Sequence, residues 1–327
     1  MEIERLDREL REKTIYGIEL ARERFRKRDN PEYSQENYLL FAGTGGNPEA
    51  VLMQNPYTAG FIIKLGEFMM WVDPGPAAIL RARELNIDLG SLTAVYISHG
   101  HQDHYGGAEP IIEGMCWGMF ARRGYLLAPG KVLDDRMVSP FHQGINTGFY
   151  SGGPNVISLN PGKKLKIEKV NITPVLAYHG EENYGFILEY NNLTIGYTSD
   201  TNYVLSYKTS EGLKKVERMG PITDFLEVNE WRSELKKAYQ NVDVLIANVT
   251  AHNSWMHRHL TTLGLAHLLA GSKVKLAVLT HFNYCCLYPE DLREKMAQYV
   301  TAKSGVKTIA GIDGLKINLD PEGICEI

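Results

Sequence analysis

The pattern of hydrophobic and polar positions changes character near residue 38. Residues 3–28 carry apolar side chains near helical spacing with charged residues between them, which predicts one amphipathic helix ending at Asn30-Pro31. From Tyr38 onward, short β-type runs bounded by Gly, Pro or Asp predict strands instead. The predicted strands are NYLLFAG, AGFIIKLG, FMMWVD, TAVYIS, ITPVLAY, YGFILEY, LTIGYTS, VDVLIANV and KLAVLT.

Helical and irregular segments separate these strands. The pattern predicts helices at 76–86 and 260–270, an irregular Gly-rich insertion at about 129–163, and a polar, mostly helical insertion at about 201–242. Early hairpins followed by β-helix-β units predict an α/β layered fold. We therefore expect an N-terminal helical extension over 1–36 and a single domain over 37–327.

Composition limits the classes of protein that this chain can represent. The 327 residues are 44% hydrophobic and carry a formal net charge of −4, which argues against a surface built as a whole to neutralise nucleic acid. The charged N-terminus has no apolar signal core, and no apolar run approaches the ~18 residues of a membrane span. The four cysteines form no C-x-x-C pair, so we expect a cytoplasmic protein with reduced thiols.

The stretch SHGHQDHYGG concentrates chemistry that neither a packed core nor a solvated turn requires. Three of the ten histidines, His99, His101 and His104, lie within six residues together with Asp103. Imidazole and carboxylate are the ligand types of zinc and related divalent ions. Four ligands are too few for two coordination shells, so further ligands must come from elsewhere in the chain.

Three later residues of ligand type also stand at the ends of predicted strands. His179 follows ITPVLAY, Asp200 follows LTIGYTS, and His281 follows KLAVLT. Strand ends that gather at one rim of an α/β sheet are where such proteins keep their sites. The sequence therefore predicts one site that combines these residues with the 99–104 cluster.

Together these residues resemble the metallo-β-lactamase-fold hydrolases. The resemblance consists of H-x-H-x-D-H at 99–104, the three strand-end ligands, and Asp73 in WVDPG. The segments FAGTGGNPEAV, HGEENYGFILEY…IGYTSDT and HLTTLGLAHLL…LAVLTHF are similar to the ribonuclease Z branch. The resemblance implies an αβ/βα sandwich of two mixed sheets with helices on the outer faces.

The resemblance also implies a role for each ligand position. One metal ion would take His99, His101 and His179, the other would take Asp103, His104 and His281, and Asp200 would bridge the two. Asp73 would orient a ligand without binding metal. The pair is expected to hold a bridging hydroxide. Zinc is the expected ion, and manganese or iron would also suit this ligand set.

Catalytic and substrate-contacting residues follow from the same comparison. Asp103 and His259 are the predicted catalytic residues, with the His259 imidazole protonating the leaving oxygen. The predicted substrate contacts are the Gly-rich turn, whose N–H groups would approach a phosphate, and three further histidines: Thr44, Gly45, Gly46, Asn47, His142, His252 and His257. His267, in the middle of a predicted helix, is interpreted as structural.

These features predict a phosphodiesterase that acts on a small phosphodiester. Three alternatives remain open: a tRNA 3′-processing endoribonuclease acting on an RNA 3′ end, a hydrolase of lactone, thioester or amide bonds, and a non-catalytic metal protein. The N-terminal helix and the ribonuclease Z resemblance predict a homodimer, and no membrane contact is expected.

Overall fold

The computed structural model describes residues 2–27, 36–145, 148–180, 182–217, 220–320 and 323–326. The chain divides into two compact units, Met1–Gln35 and Glu36–Ile327. The described part of the first unit, residues 2–27, is one long helix with an Arg11–Asp7 ion pair one turn apart at 2.8 Å. The predicted helix end at Asn30-Pro31 lies outside the described residues.

The described strands belong to the second unit. In chain order they are β1 (Tyr38–Phe41), β2 (Phe61–Leu65), β3 (Phe68–Val72), β4 (Ala94–Tyr96), β5 (Arg122–Ala128), β6 (Gly153–Ser158), β7 (Leu165–Ile167), β8 (Val170–Leu176), β9 (Tyr184–Tyr190), β10 (Leu193–Tyr197), β11 (Val204–Thr209), β12 (Gly212–Lys215), β13 (Glu227–Trp231), β14 (Val244–Ala251), β15 (Leu260–Thr261), β16 (Leu276–Thr280), β17 (Thr308–Ala310), β18 (Lys316–Asp320) and β19 (Gly323–Glu326). Each of the nine predicted β-type runs overlaps one of these strands.

Apart from the N-terminal helix, the described helices are short. They are α1 (Glu2–Lys27), α2 (Asn47–Met53), α3 (Ala78–Glu84), α4 (Gln102–Tyr105), α5 (Ala108–Met115), α6 (Gly130–Asp134), α7 (Ser233–Tyr239), α8 (Thr262–Leu269) and α9 (Arg293–Ser304). Helices α1, α3 and α8 overlap segments for which the sequence predicts helices. Within the described ranges, no helix is both long and apolar enough to cross a membrane.

The strands form two large mixed sheets. The first has the order β19-β18-β1-β2-β3-β4-β5-β6, with antiparallel pairs up to β3 and parallel pairs from β3 to β6. The second has the order β17-β16-β14-β10-β9-β8-β7, with β15 beside β14. A small three-stranded sheet, β12-β11-β13, is separate from both.

Alternation along the strands assigns side chains to different hydrophobic layers. In β2, Phe61 and Ile63 join the cluster shared by the two large sheets, whereas Ile62 packs with the residues of α3 and α5. In β14, Ile246 joins that shared cluster, while Leu245 packs with α8 and α9. Two sheets packed face to face with helices outside them make the layered α/β sandwich that the sequence predicts, so this prediction is confirmed.

Two local predictions were wrong. The segment 129–163 is not wholly irregular, because it contains α6 and β6, and β6 is the edge strand of the first sheet. The segment 201–242 is not mostly helical, because β11, β12 and β13 precede the single helix α7. Polar strands with exposed faces lack the apolar alternation from which strands are recognised, and β12 is exposed along its whole length.

Strand direction gathers the predicted ligands at one edge of each sheet. Strands β3 and β4 run parallel, and Asp73 and His99 follow their carboxyl ends. Strands β10, β14 and β16 are also parallel, with β8 in the same direction, and His179, Asp200 and His281 follow the ends of β8, β10 and β16.

Replacement of Phe186 tests the packing between the sheets. Its ring is fully buried, 5.0 Å from the Tyr96 ring and 5.4 Å from the Tyr197 ring. We expect Phe186→Ala to lower the free energy of unfolding by about 3–5 kcal/mol, because it leaves a cavity in a packed core. Urea denaturation in the presence of EDTA measures this, so that bound metal does not contribute. Leu213→Ala, at a side chain that is 63% exposed, should change stability by less than about 0.5 kcal/mol, and equal losses in the two variants would contradict the assignment.

Candidate metal centre

The residues that follow the central strands have strained backbones. Asp73, Ser199 and His281 have positive φ angles of 50°, 51° and 64°. Such angles are uncommon for residues other than glycine and persist where the surrounding structure enforces them. Here they turn the chain sharply at the strand ends, so that polar side chains face a common space.

One group of donor atoms is formed by His99, His101, His179 and Asp200. His99 Nε2 lies 2.9 Å from His101 Nδ1, which in turn lies 3.1 Å from His179 Nε2. The other ring nitrogen of His179 lies 3.0 Å from the carbonyl oxygen of Arg258. That contact assigns the proton to Nδ1 and leaves Nε2 available as a ligand.

A second group is formed by Asp103, His104 and His281. The Nε2 atoms of His104 and His281 are 3.1 Å apart. Asp103 Oδ2 lies 3.2 Å from His281 Nε2 and 3.5 Å from His104 Nε2. The structure thus gathers the predicted ligands into neighbouring groups of donor atoms, and their assignment to two ions stays a prediction.

Asp200 lies between the two groups. Its Oδ2 is 3.6 Å from His179 Nε2 and 3.6 Å from His104 Nε2, and its Oδ1 is 3.1 Å from His281 Nε2. The Asn248 amide donates to Oδ1 at 2.8 Å and holds the carboxylate in this orientation. One carboxylate therefore faces donors of both groups.

These distances and charges fit divalent cations. In a tetrahedral zinc site with bonds of about 2.0–2.1 Å, neighbouring donor atoms are about 3.3 Å apart, and the separations above lie close to that value. Burial lowers the pKa of His104, but Asp103, Asp73 and Asp200 outweigh it and raise that pKa well above its ordinary value. Burial raises the pKa of Asp200, but the imidazoles of His281 and His104 outweigh it and lower that pKa well below its ordinary value. The carboxylates of the cluster therefore favour positive charge beside them, whereas burial lowers the pKa values of His99 and His179 and favours their neutral, ligand-competent form.

Asp73 supports this cluster from behind. Its carboxylate accepts hydrogen bonds from the backbone N–H and hydroxyl of Ser98, both at 2.7 Å, from His104 Nδ1 at 2.8 Å, and from the Tyr197 hydroxyl at 2.6 Å. Burial, then the Asp73 charge, raises the pKa of Tyr197 well above its ordinary value, so the phenol stays protonated and donates. The His104 contact directs Nε2 of that ring toward the donor group.

The Gly-rich turn before α2 serves the site through its backbone. The N–H groups of Thr44, Gly45, Gly46 and Asn47 donate to Asp313 Oδ1, the Tyr57 carbonyl, the Phe282 carbonyl and Asp103 Oδ2. The sequence analysis predicted that these N–H groups approach a phosphate. In the structure they instead donate to acceptors within the protein. A Cβ built on Gly46 would overlap the His281 ring, so only glycine lets this ring reach its position.

His259 forms a third group of donor atoms with Asp200 and His281, which also belong to the other two groups. Its Nδ1 is 3.5 Å from Asp200 Oδ2, and its ring is 4.6 Å from the His179 ring. This Nδ1 is buried and has no hydrogen-bond partner, which is rare for a polar atom. Burial, partly opposed by the Asp200 charge, lowers the pKa of His259 to about 3, so the imidazole is neutral at pH 7.

A cavity of about 700 Å³ opens from these donors. Asn47 and His257, two of the predicted substrate contacts, line this cavity. The sequence analysis did not identify several other lining residues: Pro48, Glu49, Val51, Leu52, Gln102, Trp255, Arg258 and Asn283. In the sequence, these residues are marked only by their proximity to a ligand motif or to His259. No predicted strand end and no motif spacing singles them out.

Three histidines lie away from the cavity lining. His142 contacts the Ser139 hydroxyl at 2.9 Å and lies within 3.5 Å of acidic side chains of α5. The His252 ring packs against Tyr299, with the centroids 4.9 Å apart. His267 Nδ1 accepts from the Tyr203 hydroxyl at 2.8 Å, in line with its structural interpretation. His142 and His252 are therefore not brought to the cavity.

One known protein family matches more than half of the chain. Residues 37–219 match the family model described as "Anti-Pycsar protein Apyc1". An uncharacterized protein, MJ1374, from Methanocaldococcus jannaschii is 29% identical over 290 residues, covering 86% of this chain and 94% of that protein. Ribonuclease Z from Pyrococcus horikoshii is 23% identical over 205 residues, covering 61% of this chain and 57% of that enzyme.

Solved structures share the fold at low sequence identity. The metallo-β-lactamase fold protein YhfI from Bacillus subtilis has a TM-score of 0.65 at 17% identity, covering 87% of this chain and 100% of that chain. The short form of human tRNase Z has a TM-score of 0.56 at 13% identity, covering 86% and 99%. Yeast PDE1, unliganded, has a TM-score of 0.57 at 13% identity, covering 87% and 100%. The predicted metallo-β-lactamase fold and the ribonuclease Z resemblance are confirmed.

Asp73→Asn tests the hydrogen bonds behind the ligands. An amide has only one acceptor atom, so it cannot accept from all four of the present donors. We expect affinity for Zn²⁺ to fall by about 10–100-fold, measured by competition with a chromophoric chelator. Asp243→Asn is the control, because that carboxylate is bound by Thr194 and Lys275. Unchanged affinity in Asp73→Asn would show that this carboxylate does not orient His104.

Gly46→Ala tests the position of His281. The added methyl group would displace the imidazole, so we expect one donor group to lose its ion, seen as a lower metal-to-protein ratio by mass spectrometry. Gly130→Ala is the matched control, since a Cβ there meets its nearest neighbour at an ordinary 3.5 Å. A full metal complement in Gly46→Ala would contradict a ligand role for His281.

Proposed function

We propose, from the premise that this chain belongs to the Anti-Pycsar protein Apyc1 family, that it is a dinuclear-metal phosphodiesterase. The observation that carries the proposal is His259, a buried imidazole with an unpartnered Nδ1, beside the carboxylate that faces both donor groups. Metal donors alone would suit hydrolysis of many bonds. Departure of an alkoxide from a phosphodiester additionally requires a proton, and His259 is placed to give one.

The two donor groups would hold one ion each. His99, His101 and His179 would bind the first ion, the remaining group would bind the second, and Asp200 would contact both. Bound divalent ions would supply Lewis acidity and lower the pKa of water. A donor set dominated by imidazole favours zinc, while manganese and iron also accept it.

The residues of the chain would orient the substrate and move the proton. Asp103, whose Oδ2 accepts the Asn47 N–H at 2.7 Å, is held with its carboxylate toward the donor group. His259 would give the proton from Nδ1, the ring atom beside Asp200. A phosphodiester anion next to this imidazole favours its protonated form, which raises its pKa from the low value set by burial.

Processing of RNA 3′ ends is the second candidate, and a basic groove favours it. This cavity of about 610 Å³ shares His179, His257 and Arg258 with the larger cavity and is also lined by Arg232. The Arg232 guanidinium lies 3.7 Å over the Tyr178 ring. Arginines beside a metal site suit a further phosphate of a longer chain. Assay of the same preparation on a tRNA precursor and on small diesters separates the two candidates.

His259→Ala tests the proposed function through its dependence on the leaving group. An alkoxide needs the proton and p-nitrophenolate hardly does. We therefore expect kcat to fall by at least about 100-fold for a 3′,5′-cyclic nucleotide and far less for bis(p-nitrophenyl) phosphate. Metal content, measured in parallel, should stay unchanged.

The control is His252→Ala, a histidine seven residues earlier whose ring packs on Tyr299. It should retain both activities. Equal losses on the two substrates in His259→Ala would exclude proton donation. Absence of metal-dependent turnover of any diester by the wild-type protein would reject the phosphodiesterase and direct attention to lactones and thioesters.

A further inference from the structure

Two adjacent cysteines, Cys285 and Cys286, lie on a short 3₁₀ turn, Tyr284–Cys286, that follows β16 and the donor residue His281. Cys285 is exposed, whereas Cys286 is buried. Neither thiol has a part in the proposed reaction. An accessible thiol beside a second thiol is the arrangement in which the first reacts with a dissolved oxidant and the second closes a disulfide.

The two thiols differ in acidity in the direction that these roles require. The neighbouring Cys286 thiol lowers the pKa of Cys285 below its ordinary value, and burial opposes this effect only in part. The same contact, reinforced by burial, raises the pKa of Cys286. The thiolate is the nucleophile in cysteine chemistry, so an oxidant reacts first with Cys285.

Hydrogen bonds connect this turn to the chain segment that carries His281. The Thr250 carbonyl accepts the Cys286 thiol and the Asn283 N–H, both at 3.2 Å. The Asn283 side chain in turn accepts the Cys285 N–H at 3.0 Å. His281, two residues before Asn283, has a φ of 64° that its surroundings must enforce. The intact turn therefore helps to hold the His281 imidazole in place.

A disulfide between the two cysteines is incompatible with this turn. Successive side chains of a 3₁₀ turn point about 120° apart, and the Cys286 N–H closes the turn by donating to the Asn283 carbonyl at 2.9 Å. Consecutive Cα atoms are about 3.8 Å apart, less than the ~4.4 Å or more that ordinary disulfides span. Formation of the bond would therefore open the turn, and the strained product would be easily reduced again.

We propose that Cys285 and Cys286 form a site of reversible oxidation by hydrogen peroxide, and that the disulfide form loosens His281 and weakens metal binding there. The inference rests on the metal centre that the proposed function requires. It adds a form of control that acts through the ligand rather than through the substrate.

The oxidation proceeds in two balanced steps. The Cys285 thiolate attacks one peroxide oxygen, so that an S–O bond forms, the O–O bond breaks, and the departing hydroxide takes up a proton to become water. The Cys286 thiol then attacks the sulfur of this sulfenic acid, so that the S–S bond forms, the S–O bond breaks, and a second water leaves with the thiol proton. The two thiols lose two electrons and two protons, and one peroxide becomes two waters.

Peroxide treatment of the zinc-loaded protein tests the proposal without any assay of turnover. Oxidation should remove two of the four thiols, counted with a chromogenic disulfide under denaturing conditions. The tryptic peptide 276–293, which contains both cysteines, should become lighter by two hydrogen atoms. Affinity for Zn²⁺, measured by competition with a chromophoric chelator, should fall by at least about 10-fold and recover after reduction with a trialkylphosphine.

Cys285→Ser and Cys286→Ser each remove one partner of the disulfide. Serine at position 286 keeps a hydroxyl that can donate to the Thr250 carbonyl, so zinc affinity before oxidation should stay unchanged. Both variants should also keep that affinity after peroxide treatment. Cys116→Ser is the matched control and should respond like the wild type, because Cys116 is buried in another hydrophobic cluster and burial raises its pKa to about 11.

Three results would overturn the proposal. Loss of zinc from Cys285→Ser at the same peroxide concentration would show that oxidation acts elsewhere. A disulfide in the wild-type peptide without any change in zinc affinity would show that the turn does not support His281. An oxygen adduct on Cys285 that never proceeds to the disulfide would exclude a resolving role for Cys286. None of these readouts uses a diester, so failure of the phosphodiesterase proposal would leave them standing, and failure of the oxidation would leave the His259 test unaffected.

Discussion

The buried carboxylate of Asp73 is the constraint on which the site depends. Asp73 follows a strand of the first sheet, yet its carboxylate accepts a hydrogen bond at 2.6 Å from the hydroxyl of Tyr197, which belongs to the second sheet. The same carboxylate contacts His104 Nδ1 at 2.8 Å. A buried charge is tolerated only when it is well hydrogen-bonded. The position that satisfies Asp73 is therefore also the position in which the two sheets bring their strand ends together around His104.

The metal donors extend the same principle outward. Asp200 and His281 leave parallel strands of the second sheet and meet Asp103 and His104 from the first, with contacts of 3.1–3.6 Å. Positive φ angles at several of these turns oppose folding locally. The apolar cluster between the sheets offsets that strain, because it holds the strands rigidly and leaves the turns little freedom.

The sequence predicted the parts of this arrangement that repeat or cluster. Short apolar runs at β2 and β14 predict buried strands, and H-x-H-x-D-H followed by strand-end ligands predicts the donor groups. It did not predict β12, whose exposed residues carry no hydrophobic alternation. Nor did it predict that the N–H groups around Gly46 bind protein acceptors, since those hydrogen bonds join residues far apart in the chain.

The wall of the larger cavity shows why cavity-lining residues are harder to predict than the metal donors. Metal ligands are restricted to a few residue types at strand ends, whereas the cavity wall is made by loops and by α2, where many side chains would serve. The turn at residues 255–259 nevertheless constrains this wall, because the Trp255 carbonyl accepts a hydrogen bond from the His259 N–H at 3.0 Å. A change of residues in this loop that altered the turn would also move His259. The backbone conformation of this turn must therefore be conserved for His259 to remain beside Asp200.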